Sequence, residues 1–297
     1  MTFAIPPEIK DAFPPREGEM HKYAAGTVTV VGGSARYVHA PVIAGLGARA
    51  AGAGLVQLTV PDASRIAAGA VVPEATFMKL TATCNPPAAD VTVVGMGLGT
   101  AVSAEATVSK LLSGSSGRFV LDADALSLLA KWYAARGRAR VAGSAQTLVI
   151  TPHAGEAARL LGCSADEVQS DRHAAAAELA RRYSAVAVLK GAGTIVARPD
   201  SDETWVCPAG NPFMALGGMG DLLAGMLGAR WARLARLGAG RNDAPDGTAA
   251  AFLAAKAAVW LHASAADRLV GATPPVEPNI ANVAAAAASL RIECERS

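Results

Sequence analysis

Three glycines and an aspartate stand together in the loop 211–221. Gly217, Gly218 and Gly220 occupy three of four consecutive positions, and Asp221 follows directly, before an apolar run rich in leucine and alanine. Glycines at this density let the backbone turn tightly and approach a ligand without an intervening Cβ atom. The run 222–237 predicts a helix with Asp221 in its first turn, where unpaired N–H groups and the helix dipole attract anions. The segment therefore predicts an anion site beside a base, with plain N-capping by Asp221 as the alternative.

Two further loops combine polar side chains with glycine. His153 and Glu156 open a predicted helix directly after a strand, so His153 is a candidate donor to a substrate amide or phosphate. The alternatives are a local backbone bond for His153 and stabilisation of the first helical turn for Glu156. Lys190 precedes the glycine turn 191–193, which favours a phosphate contact over a plain strand end.

The remaining acidic and histidine residues have weaker settings. Asp122 and Asp124 follow another strand, and capping of the next helix explains at least one of them. His39, in the loop after the first strand, has a modest claim to a role, whereas His173 falls on an exposed-looking helix. His21 and His262 show no setting comparable to that of His153.

Runs of β-branched and aliphatic residues predict the strands that position these loops. The runs are 26–31, 55–60, 91–94, 118–121, 147–151, 186–190, 194–197 and 204–206. Apolar strands separated by helix-length segments indicate parallel pairing with both faces covered, and the turn 191–193 indicates one hairpin. We predict a single α/β domain over 1–297, with a central, mostly parallel sheet flanked by helices on both faces and an N-terminal arm over 1–25.

Two segments between strands carry more specific signals. The helix predicted over 40–53 is rich in small residues, which indicates very close approach to a neighbouring element; these residues are Ala44, Gly45, Gly47, Ala48 and Ala51. The Pro-, Thr- and Asn-containing segment 73–90 is predicted to be an excursion on the surface.

The unusual loops share one position, since each follows a strand, and open parallel sheets bind ligands at the carboxyl ends of their strands. The loops are 32–40, 95–100, 122–124, 151–156, 190–194 and 210–221. The glycines of 95–99 lack the spacing of a dinucleotide fingerprint, and the chain has no GxxxxGK[ST] loop. Both a Rossmann oxidoreductase and a P-loop kinase are therefore disfavoured.

Composition excludes several classes of protein. The 297 residues are 52% hydrophobic and 18% charged, with a net charge of +2 and no basic run, which disfavours nucleic-acid binding. We expect no membrane span, because no uncharged apolar run of about eighteen residues is evident, and no signal peptide. Four cysteines without a CxxC pair are typical of reduced thiols in a cytoplasmic protein.

Taken together, the loops resemble those of the ADP/ATP-dependent NAD(P)H-hydrate dehydratase family, which has a ribokinase-like fold. The resemblance runs from about His21 to the helix after Gly225. TPHxGE over 151–156, KGAGT over 190–194 and GGxGD over 217–221, in this order, are its specific motifs. They are accompanied by VVGGS over 30–34, AGAGLV over 51–56, GLG over 97–99 and LDADAL over 121–126.

The resemblance implies nucleotide-dependent repair of the S epimer of hydrated NADH or NADPH, through phosphorylation of its hydroxyl and loss of phosphate. Asp221 matches the base, and the N–H groups of Gly218, Met219 and Gly220 match the anion hole. The matching positions for the hydrated dinucleotide are Ala40, Gly97, Gly99, His153 and Asp221. Those for ADP or ATP are Lys190, Gly191, Ala192, Gly193, Thr194 and Gly220. Mg²⁺ is implied as a bridge between phosphates, with no protein ligand assigned.

Three departures from the family pattern are Met96 for the usual Pro, His39 for a small residue, and Met219 for the Thr of the GGTGD form. Because Met219 keeps its backbone donor, activity is expected to survive. A separate NAD(P)H-hydrate epimerase is the expected partner, since the epimerase domain often fused ahead of this family is not expected here, and a homo-oligomer is also expected. The alternatives are a ribokinase-like kinase of a small alcohol, such as a thiazole or pyrimidine vitamin precursor, and a non-enzymatic nucleotide-binding protein.

Overall fold

The structure is a computed structural model, and it describes residues 4–16, 18–114, 116–136, 145–239 and 247–296. The strands are β1 Thr27–Val31, β2 Leu55–Val60, β3 Thr76–Lys79, β4 Val91–Val94, β5 Ser116–Leu121, β6 Ala145–Ile150, β7 Ala185–Leu189, β8 Ile195–Ala197 and β9 Thr204–Val206. The α-helices are α1 Ala40–Ala50, α2 Asp62–Val71, α3 Val102–Leu112, α4 Asp124–Arg136, α5 Ala154–Leu161, α6 Ala165–Ser170, α7 Arg172–Tyr183, α8 Met219–Gly238, α9 Gly247–Val270 and α10 Ile280–Cys294. Two 3₁₀ helices cover Pro7–Ala12 and Pro212–Met214.

The nine strands of the described residues form one sheet in the order β3-β2-β1-β4-β5-β6-β7-β8-β9. The pairs from β3 to β7 are parallel, and β8 and β9 join as an antiparallel edge. The predicted α/β class, the mostly parallel sheet and the hairpin of β7 and β8 are confirmed. Because β9 runs in the same direction as β7, the loops after both strands leave the same edge of the sheet.

Alternation along the strands divides the core into two layers. In β1, Val28 and Val30 face one layer, and Val31 faces the other together with Val94 and Leu121. The first layer is covered by α1, α8, α9 and α10, and the second by α3, α4, α5 and α7. Both faces of the sheet are therefore buried under helices, as the unbroken apolar strands require.

The segment 73–90 differs from the prediction of a surface excursion, which is wrong for its first part. Thr76–Lys79 forms β3, which pairs in parallel with β2 at the sheet edge. Of its four residues only Met78 is partly buried. The strand therefore lacks the apolar pattern that revealed the others.

Helices α1 and α8 touch backbone to backbone. A Cβ atom on Gly47 would lie 2.1 Å from the carbonyl oxygen of Leu222, and one on Gly225 would lie 1.8 Å from that of Ala44. No side chain fits at either position. The close approach predicted for the helix of small residues is confirmed.

Arg230 on α8 connects distant parts of the chain within the core. It is 1% exposed and donates to Glu295 Oε1 at 2.8 Å and to the carbonyl oxygen of Ala51 at 3.2 Å. It also donates to the carbonyl oxygen of Ala12 and lies over the ring of Phe13. The residues of the predicted arm that surround Arg230 are therefore part of the buried core.

One described helix, α9, is long and apolar enough to span a membrane by length and composition. However, 89% of its most apolar 18-residue window is buried inside the protein. Its hydrophobicity is that of a core helix.

Candidate active site

The loop 210–221 is held at both of its ends. At its start, the Asp267 carboxylate on α9 accepts hydrogen bonds from Gly210 N–H at 2.8 Å and Asn211 Nδ2 at 2.7 Å. At its end, Gly218 adopts φ 92°, and a Cβ atom there would lie 2.9 Å from Ile43 on α1. A left-handed residue in such close contact has to be glycine. These contacts fix the position at which the loop 210–221 enters α8.

Asp221 is the third residue of α8, whose N-cap is Gly218. The alternative that Asp221 is merely the N-cap is therefore wrong. The Asp221 carboxylate lies in the first turn, where the amide dipoles point at it and favour negative charge. Asp221 is partly buried. The N-terminus of α8, where it lies, also suits a bound anion.

Lys190, directly after β7, lies beside two carboxylates that follow the neighbouring strands β5 and β6. Its Nζ atom lies 2.8 Å from Asp122 Oδ1 and 3.9 Å from Glu156 Oε2. Burial alone lowers the pKa of Lys190, but the charges of Asp122 and Glu156 outweigh burial and hold that pKa above its ordinary value. A Cβ atom on Gly220 would lie 3.2 Å from the same ammonium, so the first turn of α8 lies directly against this cluster.

Asp122 and Asp124 bond to other elements. Asp122 accepts from Lys190, and Asp124 Oδ2 accepts from Gly99 N–H at 2.7 Å. These bonds tie the loop after β4 and the loop after β7 to the end of β5. Asp122 and Lys190 are 68 positions apart in sequence, which explains why sequence reasoning gave the aspartates a capping role instead.

The local charge changes the acidity of Asp221. Burial raises its pKa, the nearby Asp122 raises it further, and the Lys190 ammonium offsets only part of the rise, which leaves the pKa at about 7. Asp221 therefore changes between its protonated and ionised forms near neutral pH. Such a group is suited to accept a proton in one step and release it in another.

His153 caps α5 with its side chain. Its Nδ1 atom accepts from Gly155 N–H at 3.0 Å and from Glu156 N–H at 3.4 Å, and Glu156 Oε2 accepts from the His153 N–H at 2.9 Å. Because Nδ1 accepts, the proton of a neutral ring resides on Nε2, which makes Nε2 a donor. The ring is 57% exposed, so local capping leaves it accessible to a ligand.

A cavity of about 750 Å³ opens at this edge of the sheet. Its size is within the range of small-molecule sites. Its wall contains every residue predicted to bind the nucleotide and two from the other predicted sets; these are Lys190, Gly191, Ala192, Gly193, Thr194, Gly220, Met219 and His153. The remainder is largely apolar and includes Leu223, Val259 and Cys207.

Sequence reasoning missed two residues around this cavity. Arg172 on α7 donates to the carbonyl oxygens of Leu189 and Gly193, both at 3.2 Å, and so supports the glycine turn from outside. His262 on α9 lies in the cavity wall, buried and 6% exposed. The signal for His262 was an imidazole in a mostly apolar stretch of the 24-residue helix α9, where buried polar groups need a partner.

The other residues predicted to hold the dinucleotide lie outside the wall of this cavity. Gly97 and Gly99 have φ values of 62° and 81°, and a Cβ atom on Gly97 would collide with Tyr37. Ala40 is the first residue of α1. Two contacts bring these positions near the start of α8: Ile43 of α1 lies against Gly218, and Gly99 bonds to Asp124, whose charge acts on Asp221.

Comparisons with known proteins agree on one family. A sequence profile described as NAD(P)H-hydrate dehydratase matches residues 28–279. The ADP-dependent (S)-NAD(P)H-hydrate dehydratase of Neisseria meningitidis serogroup B is 38% identical over 261 residues, which cover 86% of this chain and 81% of that protein. The crystal structure of ADP/ATP-dependent NAD(P)H-hydrate dehydratase from Bacillus subtilis, obtained with ATP/Mg²⁺, superposes with a TM-score of 0.77 at 27% identity and covers 96% of this chain and 95% of that one.

Other relatives are longer. The bifunctional NAD(P)H-hydrate repair enzyme Nnr of Coxiella burnetii is 38% identical over 260 residues, which cover 86% of this chain but 48% of that protein. The chain therefore spans about half the length of the bifunctional relatives that it matches.

The sheet order, the glycine loop and the aspartate at the start of α8 define an α/β protein of the ribokinase-like fold, as predicted. Within that fold, the chain belongs to the NAD(P)H-hydrate dehydratase family. The predicted family is confirmed, whereas the roles of the individual site residues stay predictions.

Proposed function

We propose that this protein is a nucleotide-dependent dehydratase that converts the S epimer of hydrated NADH or NADPH back to NADH or NADPH. One observation supports this most strongly: Asp221, with a pKa of about 7, adjoins the cavity that contains the glycine turn 191–193. A proton acceptor beside a nucleotide-sized cavity suits transfer of a phosphoryl group to an alcohol.

In the proposed reaction, the Asp221 carboxylate takes the proton of the hydrate's hydroxyl as its oxygen bonds to the terminal phosphorus of ADP or ATP. The bond from that phosphorus to the nucleotide's bridging oxygen breaks. The C–O bond of the new phosphate ester then breaks, inorganic phosphate leaves with the electron pair of that bond, and the neighbouring ring carbon loses a proton to form the double bond of the dihydropyridine. The chain's own task is to align the hydroxyl with the phosphate and exclude water.

Backbone donors are proposed to stabilise the charge that moves between oxygens. The N–H groups of Gly218, Met219 and Gly220 open α8, where no residue of the helix itself accepts from them. Met219 N–H lies 3.4 Å from the carbonyl oxygen of Leu216, a long bond that leaves this donor available. Replacement of Thr by Met at this position removes a hydroxyl and no backbone donor, so we expect the anion hole to be intact.

The site suits Mg²⁺. The charges of Asp122, Asp124 and Glu156 all act on Asp221, and the Lys190 ammonium offsets only part of their effect. The site therefore carries more negative than positive charge. Oxygen donors of this kind suit Mg²⁺, which keeps several waters and binds substrate phosphates through few protein ligands. We propose that Asp221 and its neighbouring carboxylates hold the ion's water shell, and that the bound ion neutralises phosphate charge. In the described part of the chain, no group of three or more His, Cys, Asp or Glu residues forms a metal site.

The remaining assignments complete the proposal. Ala40, Gly97, Gly99 and His153 would hold the hydrated dinucleotide, and Lys190 to Thr194 with Gly220 would hold the nucleotide. The protein would act in the cytoplasm on S-hydrate supplied by a separate NAD(P)H-hydrate epimerase. This fits with the bifunctional relatives, in which the name describes a repair enzyme with two activities. A homo-oligomer is also proposed.

The test is recovery of NADH absorbance after the protein is mixed with chemically hydrated NADH, Mg²⁺ and either ADP or ATP. Recovery that requires nucleotide supports the reaction, and the faster donor identifies the phosphate source. Asp221→Asn should bind nucleotide but lose at least ~100-fold in turnover, the low end for loss of a general base. If nucleotide binds without recovery of NADH, and a thiazole or pyrimidine alcohol is phosphorylated instead, the dehydratase proposal is overturned.

A further inference from the structure

The cavity wall contains a buried, unpaired polar side chain that the proposed reaction does not use. His262, on α9, is 6% exposed, and its Nε2 atom is buried without a hydrogen-bond partner among the described residues. Its neighbours in the wall, Val259 and Ala263, are apolar and lie on the same face of α9. Val259 is three residues before His262 and four before Ala263, which places Val259 on the same helix face as each of them.

An unpaired polar atom in a protein interior is unusual and calls for a physical explanation. Ser264 and Trp231 also have buried atoms without partners in the described part of the chain, but neither lines the cavity. Their unpaired atoms therefore offer nothing to a ligand in it. His262 differs because its ring forms part of the wall, where a bound molecule can supply the missing partner.

The state of the ring is set by its surroundings. Burial lowers the pKa of His262 to about 4, and the Lys190 ammonium contributes to that fall. The imidazole is therefore neutral near pH 7 and carries one N–H donor and one nitrogen acceptor. A neutral heteroaromatic group is a natural partner for such a ring, whereas a phosphate would favour a cation.

The cavity wall contains two chemically different groups of residues. Lys190, the turn 191–193 and Gly220 provide backbone donors and an ammonium, which suit an anion. The rest of the wall includes Leu223, Val259 and Cys207, whose raised pKa of about 11 keeps the thiol uncharged. A nucleotide has the same division, with anionic phosphates at one end and a flat, heteroatom-bearing base at the other.

We propose that His262 is the residue that recognises the nucleobase, through a hydrogen bond between its imidazole and a heteroatom at the edge of adenine. The apolar side chains around it would contact the faces of the base, and the imidazole would define its orientation. This inference rests on the proposed nucleotide site, but it does not depend on what the bound phosphate does next.

The test compares two probes, ADP and inorganic tripolyphosphate, which has phosphates but no base. Calorimetric binding to His262→Phe, a ring of similar size without hydrogen-bonding atoms, should show about tenfold weaker ADP binding. Tripolyphosphate binding should be unchanged. His262→Gln, which keeps a donor and an acceptor, should recover most of the ADP affinity. The matched control is His173→Phe, because His173 is exposed on α7, bonds to Thr204 and does not line the cavity.

Thermal unfolding without ligand separates base recognition from a structural role. His262→Phe removes a buried unpaired atom, so the free variant should be at least as stable as the wild type. Unchanged ADP affinity in this variant, or equal weakening of ADP and tripolyphosphate binding, overturns the inference. Should His262→Phe fail to fold, His262→Gln carries the test, and a tenfold loss of ADP affinity in that variant counts against base recognition by a hydrogen bond.

The outcome is separable from that of the proposed function. A wild type that restores NADH while His262→Phe binds ADP normally refutes the base contact alone. A wild type that binds ADP through His262 but never restores NADH refutes the dehydratase alone.

Discussion

Replacement of Asp221 by Asn should stabilise the folded protein as it removes turnover. In the folded state the pKa of Asp221 rises from 3.8 to about 7, because burial and neighbouring carboxylates oppose its ionisation. A carboxyl with a raised pKa destabilises the fold as pH increases from its unfolded to its folded value, since the unfolded chain ionises first. At about 1.4 kcal/mol for each tenfold change in proton affinity, the rise corresponds to about 4 kcal/mol above about pH 7.

Asn resembles the protonated carboxyl and is free of this penalty. Relative to the protein with Asp221 protonated in both states, the free energy of unfolding of the wild type is lower by about 1.5 kcal/mol at about pH 5 and by about 4 kcal/mol at about pH 8. The stability advantage of Asp221→Asn should therefore grow by about 2.5 kcal/mol between these two pH values.

Urea unfolding of both proteins at the two pH values measures this difference. Asp202→Asn, at an exposed position between β8 and β9, is the control for the change of charge and should show no such growth. If the advantage of Asp221→Asn is the same at both pH values, Asp221 does not have the raised pKa on which its role as a base depends.

Three other predictions concern the same charges and the buried core. The kcat/KM of the wild type should increase about tenfold per pH unit below about pH 7 and level off above it, as Asp221 ionises; a profile that is flat from about pH 5 to about pH 8 contradicts this. Lys190→Met should weaken ADP binding and lower the free energy of unfolding by about 3 kcal/mol, because it leaves a buried aspartate unpaired; calorimetry and urea unfolding check both effects. Glu295→Gln should cost a similar ~3 kcal/mol in urea unfolding by removing the partner of the buried Arg230 while leaving ADP affinity unchanged, and a loss below about 1 kcal/mol would show that the pair contributes little.

The central strands could be predicted from the sequence because burial on both faces requires an unbroken run of apolar or β-branched residues. The five residues of β1 and the five of β7 are all buried, and each stretch is an unbroken apolar or β-branched run. The predicted bounds of the other central strands agree with the structure to within about two residues, the usual uncertainty of element ends.

Some elements at the periphery of the fold have weaker sequence patterns and were not predicted. β3 pairs with one neighbour and is mostly exposed, so neither alternation nor hydrophobicity distinguishes Thr76–Lys79 from a loop. The short helices α2 and α6 were also not predicted. α6 has six residues and one buried side chain, Val168, too short a segment to show a helical period.

The candidate site divides in the same way. Loops rich in glycine were recognisable because their residues must adopt unusual backbone angles, as Gly218 does at φ 92°. The ion pair of Lys190 with Asp122 and the buried ring of His262 depend on contacts between residues far apart in sequence. No local pattern encodes such contacts, so these features required the folded chain.

The contact between α1 and α8 limits how this protein can evolve. At Gly47 and Gly225 even a methyl group would overlap a carbonyl oxygen of the opposite helix, so mutation has no small step available at either place. Helix α1 begins at Ala40 and α8 carries Asp221, so the contact between the two helices also fixes the distance between Ala40 and the proposed base. New substrate preferences in descendants of this sequence should therefore arise from changes in the loops and in α9, while the spacing of the two helices is passed on unchanged.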